Sequence, residues 1–301
     1  MVIKSKAPVR IDFAGAWTDC APFYVPFGGA TLNASIDRYV TGSMVTGEDI
    51  SSGANEGLGV TYSTDIPAGS GLGTSATLNV VWLSLARGKP LITQADKEAI
   101  AASAYDIEKV LGIVGGKQDQ YASAVGGINL FEVRADGVTT HPVDVSADKV
   151  QELESLLVLC YTGESRLSSS IHQNVWGNFR AGKRETVDAL FTLRDSAYAG
   201  KGILEAGDWD RFGPLLSQQF QCMKQLDAST SNVTVESIFD LVDAEVSGGK
   251  PGGAGGGGCL LFCARDTDRK PVIENLIRNA GFRVIDFRIE FGGLQLEIEG
   301  R

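Results

Sequence analysis

Apolar and polar positions alternate strand-like at the N-terminus, in VRIDFAG (Val9–Gly15). The same reading extends to ATLNASIDRYVTGSMV (Ala30–Val45) and GVTYSTDI (Gly59–Ile66), both rich in β-branched and small residues. The period then changes. TSATLNVVWLSLARG (Thr74–Gly88) and TQADKEAIAASAYDIEKVLG (Thr93–Gly112) place their apolar residues at helical spacing. Thr93 or Gln94 through Asp96 reads as a helix start and Gly112 as a stop. QDQYASAV (Gln118–Val125) predicts a short helix, GINLFEV (Gly127–Val133) a strand, and Asp136–Gly137 a turn. LLVLCYTG (Leu156–Gly163) reads as a buried strand, which puts a soft domain boundary at about residues 145–157.

Beyond it the pattern predicts helices over roughly 165–198, 208–226 and 233–246. The strands expected among and after them are CLLFCA (Cys259–Ala264), RVIDFRI (Arg283–Ile289) and GLQLEIEG (Gly293–Gly300). Mixed elements with hairpin-like β stretches suggest an α+β fold in two domains, 1–150 and 151–301, rather than a doubly wound parallel sheet.

Composition narrows the chemistry. The 301 residues are 43% hydrophobic and carry a formal charge of −10, which argues against a nucleic-acid binder. No run of eighteen apolar residues suggests a membrane span, and no secretory leader is read at the N-terminus. Five cysteines without a CxxC pair suggest free thiols in a reducing cytoplasm. Two histidines exclude a multi-His metal centre, so carboxylates, hydroxyls and backbone amides must carry any reaction.

Three stretches can do so. In PAGSGLGTSA (Pro67–Ala76), Gly69, Gly71 and Gly73 let the backbone approach a ligand. Thr74 and Ser75 then open a helix whose unpaired N–H groups attract anions; the alternative is a glycine-rich hairpin with an ordinary cap. The string is neither a Walker A loop nor GxGxxG. In GGKQDQYASAVGG (Gly115–Gly127), Asp119 begins a helix where it could orient or deprotonate a substrate hydroxyl, and Glu108 lies eleven residues ahead. Glu108 could offer an oxygen to Mg²⁺, or be a surface charge. In GGKPGGAGGGGCLLF (Gly248–Phe262), four consecutive glycines before an apolar strand suit a loop lying flat against a ligand or another loop. Arg10 and Asp12 share one face of the first strand, either as a structural ion pair or as site residues. Arg166 with Ser168–Ser170 could hold a phosphate at a helix start, or be a serine-rich cap beside a surface arginine.

KAPVRIDFAGAWTD, PAGSGLGTSA and GGKPGGAGGGGC, in that order, resemble the three motifs of the GHMP small-molecule kinases, the superfamily of galactokinase, homoserine kinase and mevalonate kinase. GGKQDQYASAVGGINLFE and SRLSSSI are similar to strings in the D-glycero-D-manno-heptose 7-phosphate kinases, with the fucokinases next. The resemblance implies an N-terminal domain like ribosomal protein S5 domain 2 and a C-terminal ferredoxin-like α/β sandwich. It implies ATP and Mg²⁺ as cofactors and a small-molecule sugar or sugar phosphate as acceptor, in a cytoplasmic monomer or homodimer. Pro67, Gly69, Ser70, Gly71, Leu72, Gly73, Thr74 and Ser75 would wrap the ATP phosphates, with Ser75 and Glu108 toward the metal. Asp119 would be the catalytic aspartate, with Arg10 steadying the transferring group. Asp19, Trp17, Gly28, Gly29, Arg166, Ser168, Gly255 and Gly256 would face the sugar. AWTD departs from the family's usual strings, so Ala16 and Trp17 should reshape the sugar pocket, Trp17 either by stacking on a sugar face or as core. A sugar and ATP sensor without turnover is the reading of another class.

Overall fold

The computed structural model describes residues 1–46, 58–67, 69–113, 115–164 and 168–299. Among them two antiparallel sheets form. The first has the order β10-β1-β2-β4-β5, from Gln295–Glu299, Val2–Ala14, Gly29–Thr46, Ile128–Arg134 and Gly137–Pro142. The long β2 also pairs with β3 (Leu58–Thr64) at its far end, from Val40 onward, while Gly29–Ala34 pair with β4. β1 alternates buried and exposed positions at its start and is buried on both faces from Ala7 to Ala14, because helices cover this part of the sheet. The second sheet has the order β7-β8-β6-β9, from Val246–Pro251, Cys259–Ala264, Leu157–Tyr161 and Arg283–Ile285.

Helices α2 (Thr74–Arg87), α3 (Gln94–Val110) and α4 (Gln118–Val125) pack on one another, with α2 and α4 also against β1 and β2. The expected start of α3 is a capping box. Thr93 accepts from the Asp96 N–H, and Asp96 accepts from the Thr93 N–H. One apolar core runs through both sheets, joining Phe13, Leu32 and Phe131 to Leu157, Leu261 and Ile285. The last strand returns to the first sheet, so a division into 1–150 and 151–301 separates β10 from the strand that holds it.

Several elements differ from the pattern reading. The helix expected over 165–198 is two, α6 (Ser168–Arg180) and α7 (Arg184–Ala206), separated at Gly182, whose φ of 69° a helix cannot continue. A short helix, α1 (Ala21–Phe27), and α5 (Ala147–Leu156) were absent from that reading, as was α10 (Arg269–Asn279). The helix expected to 246 is α9 (Val233–Val242), because Val246 already begins β7. β7 carries Gly248, where a Cβ would lie 1.9 Å from the carbonyl oxygen of Gly213 in α8 (Trp209–Leu226). The strand is glycine-rich because this helix lies directly on its backbone. Of the strand expected over 283–289, β9 covers Arg283–Ile285, and beyond it Ile289 makes an isolated antiparallel bridge to Ile36 on β2.

Candidate active site

The glycine loop leads into α2 through Gly73, which caps the helix in the left-handed region (φ 77°, ψ 18°). No side chain caps the first turn and no acidic residue sits in it. The N–H groups of an α-helix's first turn lack partners within the helix, so this end favours an anion. Gly69 and Gly71 are also at positive φ. Ser75 is exposed and faces the cavity, with Thr74 beside it.

The third glycine stretch braces this loop. The Cys259 N–H donates to the Ser70 carbonyl at 2.7 Å, and a Cβ on Gly258 would come within 2.7 Å of that oxygen. A Cβ on Gly71 would reach the Gly252 carbonyl at 3.0 Å. The two loops therefore lie backbone on backbone, as four glycines before a strand had suggested.

Asp119 stands in the first turn of α4, against Gly73, where a Cβ would meet its carboxyl carbon at 3.0 Å. The Arg10 Nε and Nη2 both reach Asp119 Oδ1, at 2.9 and 2.8 Å, and Nη1 donates to the Gly71 carbonyl at 2.6 Å. Arg10 thus ties the catalytic-type carboxylate to the glycine loop. Burial works against its charge, but Asp119, Asp12 and Asp19 around it raise the guanidinium's pKa further. Behind Arg10, Asp12 receives the buried Lys250 ammonium and the Gly253 N–H, the latter at 3.0 Å. Arg10 lines the cavity and pairs with Asp119, while Asp12, outside the lining, pairs with Lys250 and anchors the third loop.

Glu108 is buried at the end of α3, not a surface charge. Asn79 and Gln120 donate to its two oxygens at 2.8 Å each, and burial pushes its pKa up. Among the described residues no group of three or more His, Cys, Asp or Glu could hold a metal alone. A hydroxyl at Ser75 and a hard carboxylate at Glu108 instead fit Mg²⁺, which takes few protein oxygens and completes its shell with phosphates and water.

Asp19 is buried and accepts the Gln118 N–H at 2.9 Å. Only glycine fits at 116, where a Cβ would fall 1.9 Å from Asp19 Oδ2. Burial lifts the Asp19 pKa to about 6, with Asp119 adding and the Gln118 N–H and Arg10 opposing. Trp17 is buried, with its ring centroid 4.5 Å from that of His172, and its φ is +80°. It packs as core and also lines the cavity.

One cavity of about 260 Å³ gathers Arg10, Trp17, Asp19, Gly69, Ser70, Gly71, Gly73, Thr74, Ser75, Glu108, Asp119 and Gly255. Other expected residues do not line it. Leu72 is buried in the core, and Pro67 lies outside the lining. Gly256 donates to the Thr230 carbonyl at 2.6 Å and supports the loop from behind. Gly28 and Gly29 are not in its lining; they line a separate groove beside Arg194 and Tyr198. Gly28 ends α1, and Gly29 leaves room for the Thr18 carbonyl, 2.0 Å from where a Cβ would stand. Arg166 lies outside the described residues, and Ser168 opens α6. Asn79, Gln120, Gln118, Gly116, His172 and Lys250 were missed. For Lys250 a signal existed, a single cation inside a glycine-rich, otherwise uncharged strand; for Asn79 and His172 none did.

Residues 38–127 match the GHMP kinases N terminal domain. The D-glycero-alpha-D-manno-heptose 7-phosphate kinase of Campylobacter jejuni is 29% identical over 97% of this chain and 98% of its own. The bifunctional fucokinase/GDP-fucose pyrophosphorylase of Arabidopsis thaliana is 26% identical over 93% of this chain, which spans 32% of that longer protein. The solved D-glycero-D-manno-heptose 1-phosphate kinase from Bacteroides thetaiotaomicron is 25% identical, with a TM-score of 0.75, covering 99% of this chain and 100% of its own. The chain carries a GHMP kinase N-terminal domain on the GHMP kinase fold, and it is a phosphotransferase.

Proposed function

We propose that the protein is an ATP-dependent sugar kinase that phosphorylates the anomeric hydroxyl of a sugar or sugar phosphate. D-glycero-D-manno-heptose 7-phosphate is the first acceptor to try. The observation that carries the reading is the Arg10–Asp119 pair, bonded to the carbonyl of Gly71 in a glycine loop that opens a helix without a side-chain cap. An anion held at that helix end lies beside a carboxylate able to accept a hydroxyl proton.

The glycine loop would hold ATP, the source of the phosphoryl group, and Ser75 and Glu108 would hold Mg²⁺, which would offset the charge on the phosphates. The chain's own residues do the positioning. Asp119 orients the acceptor hydroxyl and takes its proton. Arg10 fixes that carboxylate and places a permanent positive charge next to the loop. Asn79 and Gln120 hold Glu108 so that both of its oxygens keep their directions. Most of the acceleration then comes from alignment and fixed charge.

A phosphate-free acceptor, as in the fucokinase relatives, is the second reading. Arg10 is the one Lys or Arg among the described residues that line the cavity, and it is already committed to Asp119 and Gly71. A cytoplasmic location accords with both readings. The test is ADP release over a panel of heptose 7-phosphate, fucose, galactose and mannose, with the new phosphate located by NMR. One sugar should be turned over at its anomeric position, and Asp119→Asn should abolish this while ATP still binds. No ADP release from any member, with ATP and sugar both bound, would favour a sensor.

A further inference from the structure

Trp17 is the one non-glycine residue at positive φ among the described residues. A bulky side chain there is strained and persists only where surroundings impose it. The strain sets its indole against His172, with ring centroids 4.5 Å apart, and against Trp176 at 5.8 Å. Trp17 Nε1 is buried with no partner among the described residues. An indole N–H left dry in this way is a donor awaiting an acceptor.

His172 lies one turn before Trp176 on α6, and the Trp176 Nε1–H donates to His172 Nδ1 at 3.3 Å. That bond fixes the tautomer: Nδ1 accepts, so the neutral ring carries its proton on Nε2. Nε2 has no partner among the described residues, and His172 lines the cavity. Burial keeps the imidazole neutral, with its pKa down at about 4. The same cavity is lined by acceptors as well: Asp19, with its carboxylate, and Gln118, whose Oε1 is buried and unpartnered among the described residues. A phosphate, which only accepts, would oppose both. Hydroxyl groups donate and accept, and satisfy the whole set.

Resting on the sugar-kinase reading, we propose that the Trp17 and His172 N–H groups form a donor pair that binds hydroxyl oxygens of the acceptor. This end of the cavity therefore takes an uncharged polyol face and selects the sugar by its hydroxyl pattern. Any phosphate on the acceptor lies elsewhere.

The test uses the full chain and the sugar the panel selects. His172→Phe should raise the acceptor KM about tenfold or more, the effect of one lost buried hydrogen bond, with the ATP KM within about twofold. His172→Gln, which keeps an N–H donor, should recover part of the loss. Trp17→Phe, which keeps a ring but not the donor, should behave like His172→Phe. A deoxy analogue lacking the contacted hydroxyl should bind the wild type worse but His172→Phe no worse than the parent sugar does. Acceptor KM values within about twofold of wild type for both His172→Phe and Trp17→Phe would overturn the inference. So would equal losses on every deoxy analogue in variant and wild type. If His172→Phe fails to fold, the His172→Gln and Trp17→Phe values decide alone. A wild type that turns over no sugar removes the kinase reading itself, a different outcome from an active wild type indifferent to these positions.

Discussion

Asp19 is the residue whose charge is most finely set. Burial, with Asp119 adding, lifts its pKa to about 6 against the Gln118 N–H, its own backbone N–H and Arg10. An ionised carboxylate accepts from a sugar hydroxyl more strongly than the neutral acid does. The acceptor KM should therefore fall as pH rises through about 6, while Asp19→Asn should show a high KM and a flat profile. Stability runs the other way. The folded pKa lies above the unfolded value of 3.8, so the folded state holds the extra proton between about 4 and 6, and stability falls as pH rises across that window. Two pKa units correspond to about 3 kcal/mol at most, which Asp19→Asn should abolish in denaturant titrations at pH 4, 5, 6 and 7. An acceptor KM that ignores pH in the wild type would remove Asp19 from the sugar site. The sequence marked Asp19 only by likeness. Its perturbation comes chiefly from burial, with Asp119, a hundred positions away, adding to it, and no local pattern records that closeness.

At the scale of elements, the three glycine-containing stretches were legible because most of their glycines, Gly71, Gly73, Gly116, Gly248 and Gly258 among them, sit where a Cβ would collide or at positive φ. Their mutual contact was suggested by the four-glycine run, whereas the partners were not. Gly258 touches the Ser70 carbonyl at φ +76°, so Gly258→Ala meets both backbone strain and a blocked approach. The cost, about 1–3 kcal/mol, would fall on the loop carrying Ser70 through Ser75. We expect a rise of about tenfold in the ATP KM with the acceptor KM much less affected. An unchanged ATP KM would mean that the brace does not hold the phosphate loop in register. Helix boundaries read less well than the motifs did. Gly182 splits a continuous apolar stripe, and β7 hides in a glycine string because its packing partner, α8, replaces the side chains it lacks.

The whole molecule is held across its two sheets by charge as well as by the shared core. Lys250 on β7 and Asp12 on β1 are both fully buried and paired, and Lys250 also donates to the Asp12 carbonyl at 3.1 Å. Asp12 in turn lies 3.9 Å from Arg10, which holds Asp119, so alternating charges run from the second sheet into the site. Burial and Arg10 both press the Lys250 pKa down, and Asp12 opposes them. A buried pair of this kind adds little over an apolar replacement, yet removing one partner strands the other. Lys250→Met should therefore cost about 3–5 kcal/mol, a drop in Tm on the order of 10 °C for a chain of this size. Lys250→Met with Asp12→Asn should lose clearly less than the two single losses added, because no buried charge is left unpaired. Thermal melts of the three variants, run beside the acceptor and ATP KM values, separate the stabilising role from the positioning one. If Lys250→Met melted within about 1 °C of wild type, as for an exposed ion pair, the sheets would be joined by the apolar core alone.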